Sequence, residues 1–350
     1  MKPEARHSRA FADGARLVAD IGATNARFAL QTAEKVFRSV RVLACQDFDG
    51  IVPLLQCYLA DHAGLTLAHA ALAVANPVSG DRVRLTNRDW EFSIEGVRRE
   101  LGLQTLLVVN DFTALAMALP GLKRADLMQV GGGAPITNGV TGVLGPGSGL
   151  GVSAVIPTSD GFVALASEGG HASFAPADER ECAVLRYAWQ RWPHVSAERL
   201  ISGPGLEIIG RALALRNGLT VRDLTAQQIM AGALNDQNAF CLEVLECFCA
   251  MLGGVSANLA LTLGALGGIY IGGGIVPRMG PWFATSPFRA RFEAKGRFSS
   301  YLSAIPTYVI TAPNPAFYGV ARLLAEHLGA GGTRRGRRAP PTGPDAKNDA

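Results

Sequence analysis

Short apolar segments alternate with turn residues along the first third of the chain, a pattern typical of an α/β protein. Apolar runs at residues 17–21, 27–30 and 39–43 predict strands, and helical spacing of apolar residues predicts a helix over 50–63. "HAALAVANPVSG" predicts a further strand, and "VRLTNRDWEFS" predicts a strand with a helix starting near Ser93. "TLLVVNDFTALAMAL" predicts a buried strand that runs directly into a helix.

A second hairpin pattern repeats the first one more than a hundred residues later. "VADIGATNARFAL" and "TGVLGPGSGLGVSAVI" both read as strand, glycine turn and strand. The repeat predicts a duplicated fold in which each half turns one glycine loop toward a common ligand. The second half is richer in predicted helices, near residues 179–191, 205–216, 226–235 and 239–263, followed by the strand "GGIYIGGG" and the helix "NPAFYGVARLLAEHL".

One segment, residues 252–277, carries no charge and is therefore long and apolar enough to be considered as a membrane span. Its glycines are dense, and "GALGG" divides it into a helix-like half and a strand-like half. This favours a buried helix followed by a buried strand, with no membrane partner. The N-terminal residues "MKPEARHSRAFADGAR" lack the apolar stretch of a signal peptide, which favours a cytoplasmic protein.

Composition and charge indicate a globular protein without a nucleic-acid partner. Of the 350 residues 48% are hydrophobic and 18% charged, which excludes a disordered chain. Most of the formal net charge of +4 belongs to residues 330–350, a Gly/Pro-rich basic tail predicted to be disordered. The rest of the chain is close to neutral, so a nucleic-acid surface is not expected. The cysteines form no CxxC pair and are predicted to be reduced thiols.

The glycine turns are candidates for phosphate binding, although neither fits the two commonest phosphate motifs. No GxxxxGK followed by Ser or Thr is present, and the partial GxGxxG in "GPGSGLG" precedes a strand instead of a helix. A hairpin turn can still present backbone N–H groups to phosphate oxygens, with Thr24, Asn25 and Ser148 adding side-chain donors. Asp20 is placed to hold Mg²⁺ through its waters. The alternative is that "GATN" is only a tight turn and Asp20 a turn-initiating acid.

Asn110 and Asp111 lie where a predicted buried strand meets a helix. One interpretation is helix capping, which is a frequent role of both residue types. The other is catalytic, because ligands bind beyond the carboxyl ends of strands in α/β sheets and a carboxylate there can accept the proton of an attacking hydroxyl. Residue spacing alone leaves both open.

Seven motifs together resemble the bacterial glucokinase family, the ATP-dependent type related to hexokinase and actin. They are "DIGATNARFAL", "VNDFTALAMAL", "GPGSGLGVS", "EGGHASFAP", "VSAERLISGPGLEIIGRAL", "GGIYIGGGIVPR" and "KGRFSSYLSAIPTYVI", in family order over about residues 17–328. The resemblance implies an α/β protein with a two-domain actin-like, ribonuclease H-like ATPase fold, duplicated mixed sheets and a cleft that closes over the sugar. It also implies a homodimer outside the zinc-containing branch, whose cysteine-rich motif is absent after "EGGH".

The domain boundaries expected on this basis divide the chain into four parts. Residues 1–14 are expected to be a flexible N-terminus, and 15–120 with 311–329 a small α/β domain. Residues 121–310 are expected to form a large α/β domain, followed by the tail from 330.

The resemblance also implies the role of each site residue. Asp111 matches the catalytic base, and Asn110, Glu168, His171 and Glu198 match residues that bind the other sugar hydroxyls. The first phosphate turn, with the Mg²⁺ site, matches Ala19, Asp20, Ile21, Gly22, Ala23 and Thr24. The second phosphate turn matches Gly147, Ser148 and Gly149. The wall around adenosine matches Gly272, Gly273 and Gly274. Without the motifs, His171 would be an ordinary loop histidine and Glu198 a helix-surface acid.

Two positions depart from the family pattern. Ala23 stands where a second glycine is usual, and Ser148 where threonine is usual. A positive φ at position 23 would cost an alanine about 1–2 kcal/mol. Serine keeps the hydroxyl donor.

Three functions follow as hypotheses. The first is an enzyme that transfers the γ-phosphoryl group of MgATP to the 6-hydroxyl of D-glucose, giving glucose 6-phosphate and ADP, the first step of glycolysis. The second is a non-catalytic, sugar-sensing module of the same fold, and the third an actin-like polymerising ATPase. The acids Asp20 and Asp111 favour the enzyme over the sensor, and the sugar-type residues argue against the third. A DNA-binding repressor is not expected, because the residues before the first strand leave no room for a helix-turn-helix.

Overall fold

The structure, a computed structural model, describes residues 10–85, 89–220 and 223–331. They form two compact units. The first unit holds the described residues up to Ala114 and those from Ala316 on, and the second unit is Leu115–Pro315. The predicted flexible N-terminus, apart from residues 10–14, and the predicted basic tail, apart from 330 and 331, lie outside the described residues.

Thirteen strands and eleven α-helices are formed by the described residues. The strands are β1 (Arg16–Ile21), β2 (Asn25–Ala33), β3 (Val36–Ala44), β4 (His69–Val74), β5 (Arg82–Leu85), β6 (Trp90–Ser93), β7 (Thr105–Asn110), β8 (Leu127–Val130), β9 (Thr141–Pro146), β10 (Leu150–Thr158), β11 (Gly161–Ser167), β12 (Gly268–Ile271) and β13 (Thr307–Ile310). The helices are α1 (Ile51–Ala60), α2 (Ile94–Glu100), α3 (Asp111–Ala118), α4 (Glu179–Trp189), α5 (Ala197–Leu200), α6 (Gly203–Arg216), α7 (Ala226–Leu234), α8 (Ala239–Leu263), α9 (Phe288–Glu293), α10 (Ser299–Ser303) and α11 (Pro315–Gly331). Short 3₁₀ segments lie at Cys45–Asp47, Leu119–Gly121, Arg124–Asp126, Gly169–His171, Val276–Thr285 and Gly296–Phe298.

The first unit is built on a five-stranded sheet in the order β3-β2-β1-β4-β7. Strands β1, β4 and β7 run parallel, and β2 returns antiparallel to β1. One face of the sheet packs its leucines against Leu54 and Leu55 of α1. The other face carries valine and alanine and packs against Phe317 and Val320 of α11. Small residues on that face let the helix approach the sheet closely.

The second unit repeats this arrangement. Its sheet has the order β11-β10-β9-β12-β13-β8. The hairpin β9–β10 is antiparallel, and β12 and β13 continue parallel to β9, as β4 and β7 do beside β1. The duplication predicted from the two glycine hairpins is therefore confirmed in strand order and direction, with β8 as an additional edge strand.

The uncharged segment forms the core helix α8 and the strand β12, as its pattern predicts. Asn238 begins α8 by accepting a hydrogen bond from the Cys241 N–H, and Gly264 ends it in the left-handed region with φ of 59°. The helix is long and apolar enough to cross a membrane, but 67% of its most apolar window is buried inside the structure. It packs in the core of the second unit against the sheet and its neighbouring helices.

Several boundaries differ from the sequence predictions. The helix predicted over 50–63 spans only Ile51–Ala60, and "VRLTNRDWEFS" forms the two strands of the β5–β6 hairpin on either side of residues 86–88, which are not described. Strands β8 and β11 were not predicted, because edge strands with mixed exposure lack a clear apolar alternation. All six cysteines are free thiols, as predicted.

Candidate active site

Polar residues collect at one edge of the sheet in the first unit. The carboxyl ends of β1, β4 and β7 are adjacent there because the three strands run parallel. Asp20 is paired in register with Ala73 of β4, which is paired with Val109 of β7. Two strand spacings separate β1 from β7, about 10 Å.

Asp20 is a largely buried carboxylate with one cationic neighbour. Its side chain is 21% exposed, and its Oδ2 lies 3.4 Å from the Arg27 guanidinium of the next strand. Burial raises the pKa of Asp20, and the charge and hydrogen bond of Arg27 oppose that effect. A carboxylate that is costly to bury unpaired gains from a bound cation.

The first glycine turn, Gly22–Thr24, joins β1 to β2 without a helix. The Gly22 N–H donates to the Asn25 carbonyl at 3.0 Å, which closes the hairpin. Among the described residues, neither the N–H nor the hydroxyl of exposed Thr24 has a hydrogen-bond partner. The φ of Ala23 is not positive, so its Cβ causes no backbone strain.

Asn110 and Asp111 occupy the junction between β7 and α3. The Asn110 Oδ1 accepts hydrogen bonds from the N–H groups of Phe112 and Thr113, at 3.0 and 3.1 Å. The Asp111 Oδ1 accepts from the Phe112 N–H at 2.9 Å and from the Asn110 Nδ2 at 3.1 Å. The Asn110 side-chain oxygen thus caps α3, as the capping interpretation predicts. The Asn110 amide and the Phe112 N–H also hold the Asp111 carboxylate at the strand end.

Sequence reasoning missed Asn76, which follows β4 between the other two strand ends. It is 7% exposed, and its carbonyl accepts from the Asn110 Nδ2 at 3.4 Å. An asparagine directly after a fully buried apolar run was the available signal, but "ANPVSG" also reads as an ordinary turn.

In the second unit, the turn Gly147–Gly149 after β9 lies against the turn Gly272–Gly274 after β12. The Gly272 N–H donates to the Leu144 carbonyl, and the Ile275 N–H to the Pro146 carbonyl. Gly273 has a φ of 77°. A Cβ at Gly145, near the end of β9, would overlap the backbone of Gly272 and Gly273, and a Cβ at Gly273 would overlap the backbone of Gly145 and Pro146, so glycine is required for this approach.

The second turn is open to solvent at its tip and supported at its base. Among the described residues, the N–H groups of Ser148 and Gly149 have no hydrogen-bond partner. The Gly147 carbonyl accepts from the Gly203 N–H at the start of α6, a helix that Ser202 caps. The positive end of the α6 dipole is therefore directed at this turn, which favours a bound anion.

Glu168, His171 and Glu198 are brought together in the second unit. The His171 Nε2 lies 3.9 Å from the Glu168 Oε2, and its Nδ1 lies 3.9 Å from the Glu198 Oε1. The pKa of Glu168 is raised, mainly because burial removes the carboxylate from water. The interaction with His171 lowers this pKa, and the negative charge of Glu198 raises it further. The 3.9 Å separations exceed hydrogen-bond length, so the imidazole is not hydrogen-bonded to either carboxylate at these contacts.

Two local features hold this group in place. Ala172 and Ala197 are linked by a backbone hydrogen bond of 2.8 Å, which sets the loop of His171 beside α5. Ser196 caps α5 by accepting from the Arg199 N–H. The glycines of "EGGH" allow the loop to lie on β10, since a Cβ at Gly170 would overlap the Leu150 carbonyl.

Among the described residues, no group of three or more His, Cys, Asp and Glu side chains is arranged to hold a metal ion. Mg²⁺ in phosphoryl-transfer sites is commonly bound by one or two carboxylates together with substrate phosphates. Asp20, a mostly buried carboxylate beside the turn Gly22–Thr24, fits that kind of site.

Comparisons with known proteins show the family to which this chain belongs. The chain matches the sequence model of the Glucokinase family over residues 17–327. It belongs to the Glucokinase family. It is 54% identical over 313 residues to a glucokinase of Chromobacterium violaceum, an alignment that covers 89% of this chain and 90% of that protein. It is 57% identical over 325 residues to a "Bifunctional protein glk" of Paraburkholderia xenovorans, covering 92% of this chain. The chain spans about half of that relative, 51% of its length.

Solved structures confirm the predicted fold. A glucokinase from an Antarctic psychrotroph superposes with a TM-score of 0.80 at 36% identity, covering 89% of this chain and 99% of that one. A ROK family glucokinase from Streptomyces griseus, solved with glucose and AMPPNP, has a TM-score of 0.62 at 18% identity and covers 89% and 100% of the two chains. The chain therefore has the actin-like ATPase fold.

Proposed function

We propose that this chain is an ATP-dependent glucokinase, which transfers the γ-phosphoryl group of ATP to the 6-hydroxyl of D-glucose. The proposal rests on its membership of the Glucokinase family and on one observation above the others. Asp111 is fixed at the carboxyl end of β7 by the Phe112 N–H and the Asn110 amide. A carboxylate held in that way at a strand end is suited to serve as a general base.

In the proposed reaction, Asp111 accepts the proton of the glucose 6-hydroxyl. The hydroxyl oxygen forms a bond to the γ-phosphorus while the bond from that phosphorus to the bridging β–γ oxygen breaks, and ADP leaves. Phosphoryl transfer depends mainly on positioning and charge neutralisation, so one well-aligned base and one metal ion would suffice.

The nucleotide contacts that we propose come from the two glycine turns. The N–H groups of Thr24, Ser148 and Gly149, together with the hydroxyls of Thr24 and Ser148, supply donors for phosphate oxygens. Mg²⁺, held by Asp20 through water, would neutralise charge on the β- and γ-phosphates. Gly273 and Gly274 would border the adenosine.

The sugar contacts that we propose are Asn110, Glu168, His171 and Glu198. Carboxylates accept hydrogen bonds from sugar hydroxyls, while an amide and an imidazole can both donate and accept. The grouping of Glu168, His171 and Glu198 within the second unit supports three of these assignments. A homodimer, a cytoplasmic location and the absence of nucleic-acid and membrane partners complete the proposal.

The test is a product assay with a matched sugar. The purified chain is incubated with MgATP and glucose, and glucose 6-phosphate is identified through its enzymatic oxidation by a coupling dehydrogenase. 6-Deoxyglucose serves as the control, since it lacks the accepting hydroxyl and retains the others. Product from glucose, with ADP formed in equal amount and none above background from 6-deoxyglucose, supports the proposal.

A non-catalytic sugar sensor is the alternative that this assay separates. It would bind glucose measurably by calorimetry and form no glucose 6-phosphate. That combination would reject the enzymatic proposal while leaving the fold unchanged.

A further inference from the structure

A single backbone position, Leu150, connects the second phosphate turn to the group of sugar-type residues. Leu150 follows the turn directly and begins β10. Its N–H donates to the Glu198 Oε2 at 2.9 Å. Its carbonyl lies so close to Gly170 that a Cβ at position 170 would overlap it. The motif of Glu168 and His171 and the motif of Glu198 therefore both contact this one residue directly after the turn.

Glu198 uses its two carboxylate oxygens in different directions. Oε1 faces His171 at 3.9 Å, on the side that we assign to sugar hydroxyls. Oε2 accepts from the Leu150 N–H and lies so close to Gly149 that a Cβ at that position would overlap it. The side chain is 33% exposed, so it is partly shielded from water, which strengthens a charge-assisted hydrogen bond.

Hydrogen bonds hold the backbone on both sides of the turn. Ser196 caps α5, and the Ala197 N–H is bound to the Ala172 carbonyl at 2.8 Å. On the other side of the turn, the Gly147 carbonyl is held by the Gly203 N–H at 2.8 Å. The turn is thus fixed at both ends, by the start of α6 at Gly147 and by Glu198 at Leu150.

We propose that Glu198 is a positioning residue that connects the sugar subsite to the second phosphate turn, so that sugar binding tightens nucleotide binding through this side chain. The inference rests on the proposed function for the identity of the two ligands. A sugar hydroxyl on Oε1 orders the carboxylate, and the ordered carboxylate fixes the Leu150 N–H and the turn before it. Coupling of this kind is reciprocal, so the nucleotide tightens sugar binding by the same factor.

The test measures binding of the non-hydrolysable nucleotide MgAMPPNP by calorimetry, with and without saturating glucose. Glu198→Gln keeps an oxygen that can accept from the Leu150 N–H, whereas Glu198→Ala removes it. Without sugar, we expect Glu198→Ala to bind the nucleotide about tenfold more weakly than Glu198→Gln, because one hydrogen bond that fixes the turn is lost. Glu179→Gln is the control, because it removes the charge of an 82% exposed carboxylate in the same unit, outside the proposed site, whose described ion pair is with Arg186.

The sugar-dependent part of the measurement tests the coupling itself. Glucose is expected to tighten nucleotide binding in the wild type and in Glu179→Gln, and to have no effect on it in Glu198→Ala. Equal nucleotide affinity of Glu198→Gln and Glu198→Ala, or a sugar effect that persists in Glu198→Ala, would overturn the inference. Thermal unfolding of each variant separates a general loss of structure from a local one. Failure of the wild type to phosphorylate glucose would instead reject the proposed function. The nucleotide titrations without sugar would still measure whether Glu198 supports nucleotide binding.

Discussion

The close approach of the second hairpin to the turn Gly272–Gly274 makes Gly145, near the end of β9, a sensitive position. In Gly145→Ala, the new Cβ would lie 2.6 Å from the carbonyl carbon of Gly272 and 2.7 Å from the nitrogen of Gly273. Carbon atoms in contact are ordinarily about 3.5–4.0 Å apart, so the turns would have to separate by about 1 Å. The clashing atoms are backbone, which cannot move away by changing a rotamer.

The expected effects follow from that displacement. Overpacking of this kind costs about 1–3 kcal/mol of the free energy of unfolding. For a unit of this size each kcal/mol lowers the melting temperature by about 2–4 °C. If Gly272–Gly274 borders the nucleotide as proposed, the KM for MgATP at saturating glucose should also rise, by about three- to tenfold.

Gly132→Ala provides the matched control. A Cβ at Gly132 has no atom within 4 Å, and its φ lies outside the positive range. Its melting temperature should remain within about 2 °C of the wild type, with unchanged KM for MgATP. A Gly145→Ala variant that matches this control in both melting temperature and KM would refute the packing of the two turns described above.

Three further predictions concern charge and backbone. Burial raises the pKa of Asp20, so this carboxylate takes up its proton at a higher pH than an ordinary aspartate. As pH falls, affinity for MgATP should therefore weaken at a higher pH than it would with an ordinary aspartate. The pH profile of the MgATP KM measures this effect, and Asp20→Asn should remove it. Arg291→Met leaves Glu181, which is 1% exposed, without its cation, and should lower the free energy of unfolding in urea by about 3–5 kcal/mol. Adding Glu181→Gln should recover much of that loss. A loss no greater than that caused by replacing a surface arginine would contradict this. Ala23→Gly should leave nucleotide affinity unimproved in direct titration, because Ala23 has no positive φ to relieve.

The strand and helix pattern of the chain could be predicted where apolar periodicity is strong. The hairpins around Gly22 and Gly147, the junction at Asp111 and the buried helix α8 follow from local sequence alone. Edge strands such as β11 could not be predicted, because their pairing with neighbours determines them more than their own residues do.

The candidate site was predictable in its residue types and not in its contacts. The motif around Asp111 indicates an acid at a strand end, but residue spacing does not reveal that Asn110 caps α3 and holds Asp111 at once. The bond between Glu198 and the Leu150 N–H joins residues 48 positions apart, which no local pattern encodes. Such contacts depend on how loops meet in the folded unit.

The most direct test of the proposed function compares the wild type with Asp111→Asn. Asparagine keeps an oxygen that can accept from the Phe112 N–H, so the local structure should persist while the base is lost. Glucose-dependent ADP release and the glucose Kd are measured for both proteins. We predict that kcat falls by about 10²–10⁴-fold in the variant while glucose binding is retained. Turnover of Asp111→Asn within a few-fold of the wild type would contradict the role of Asp111 as the base.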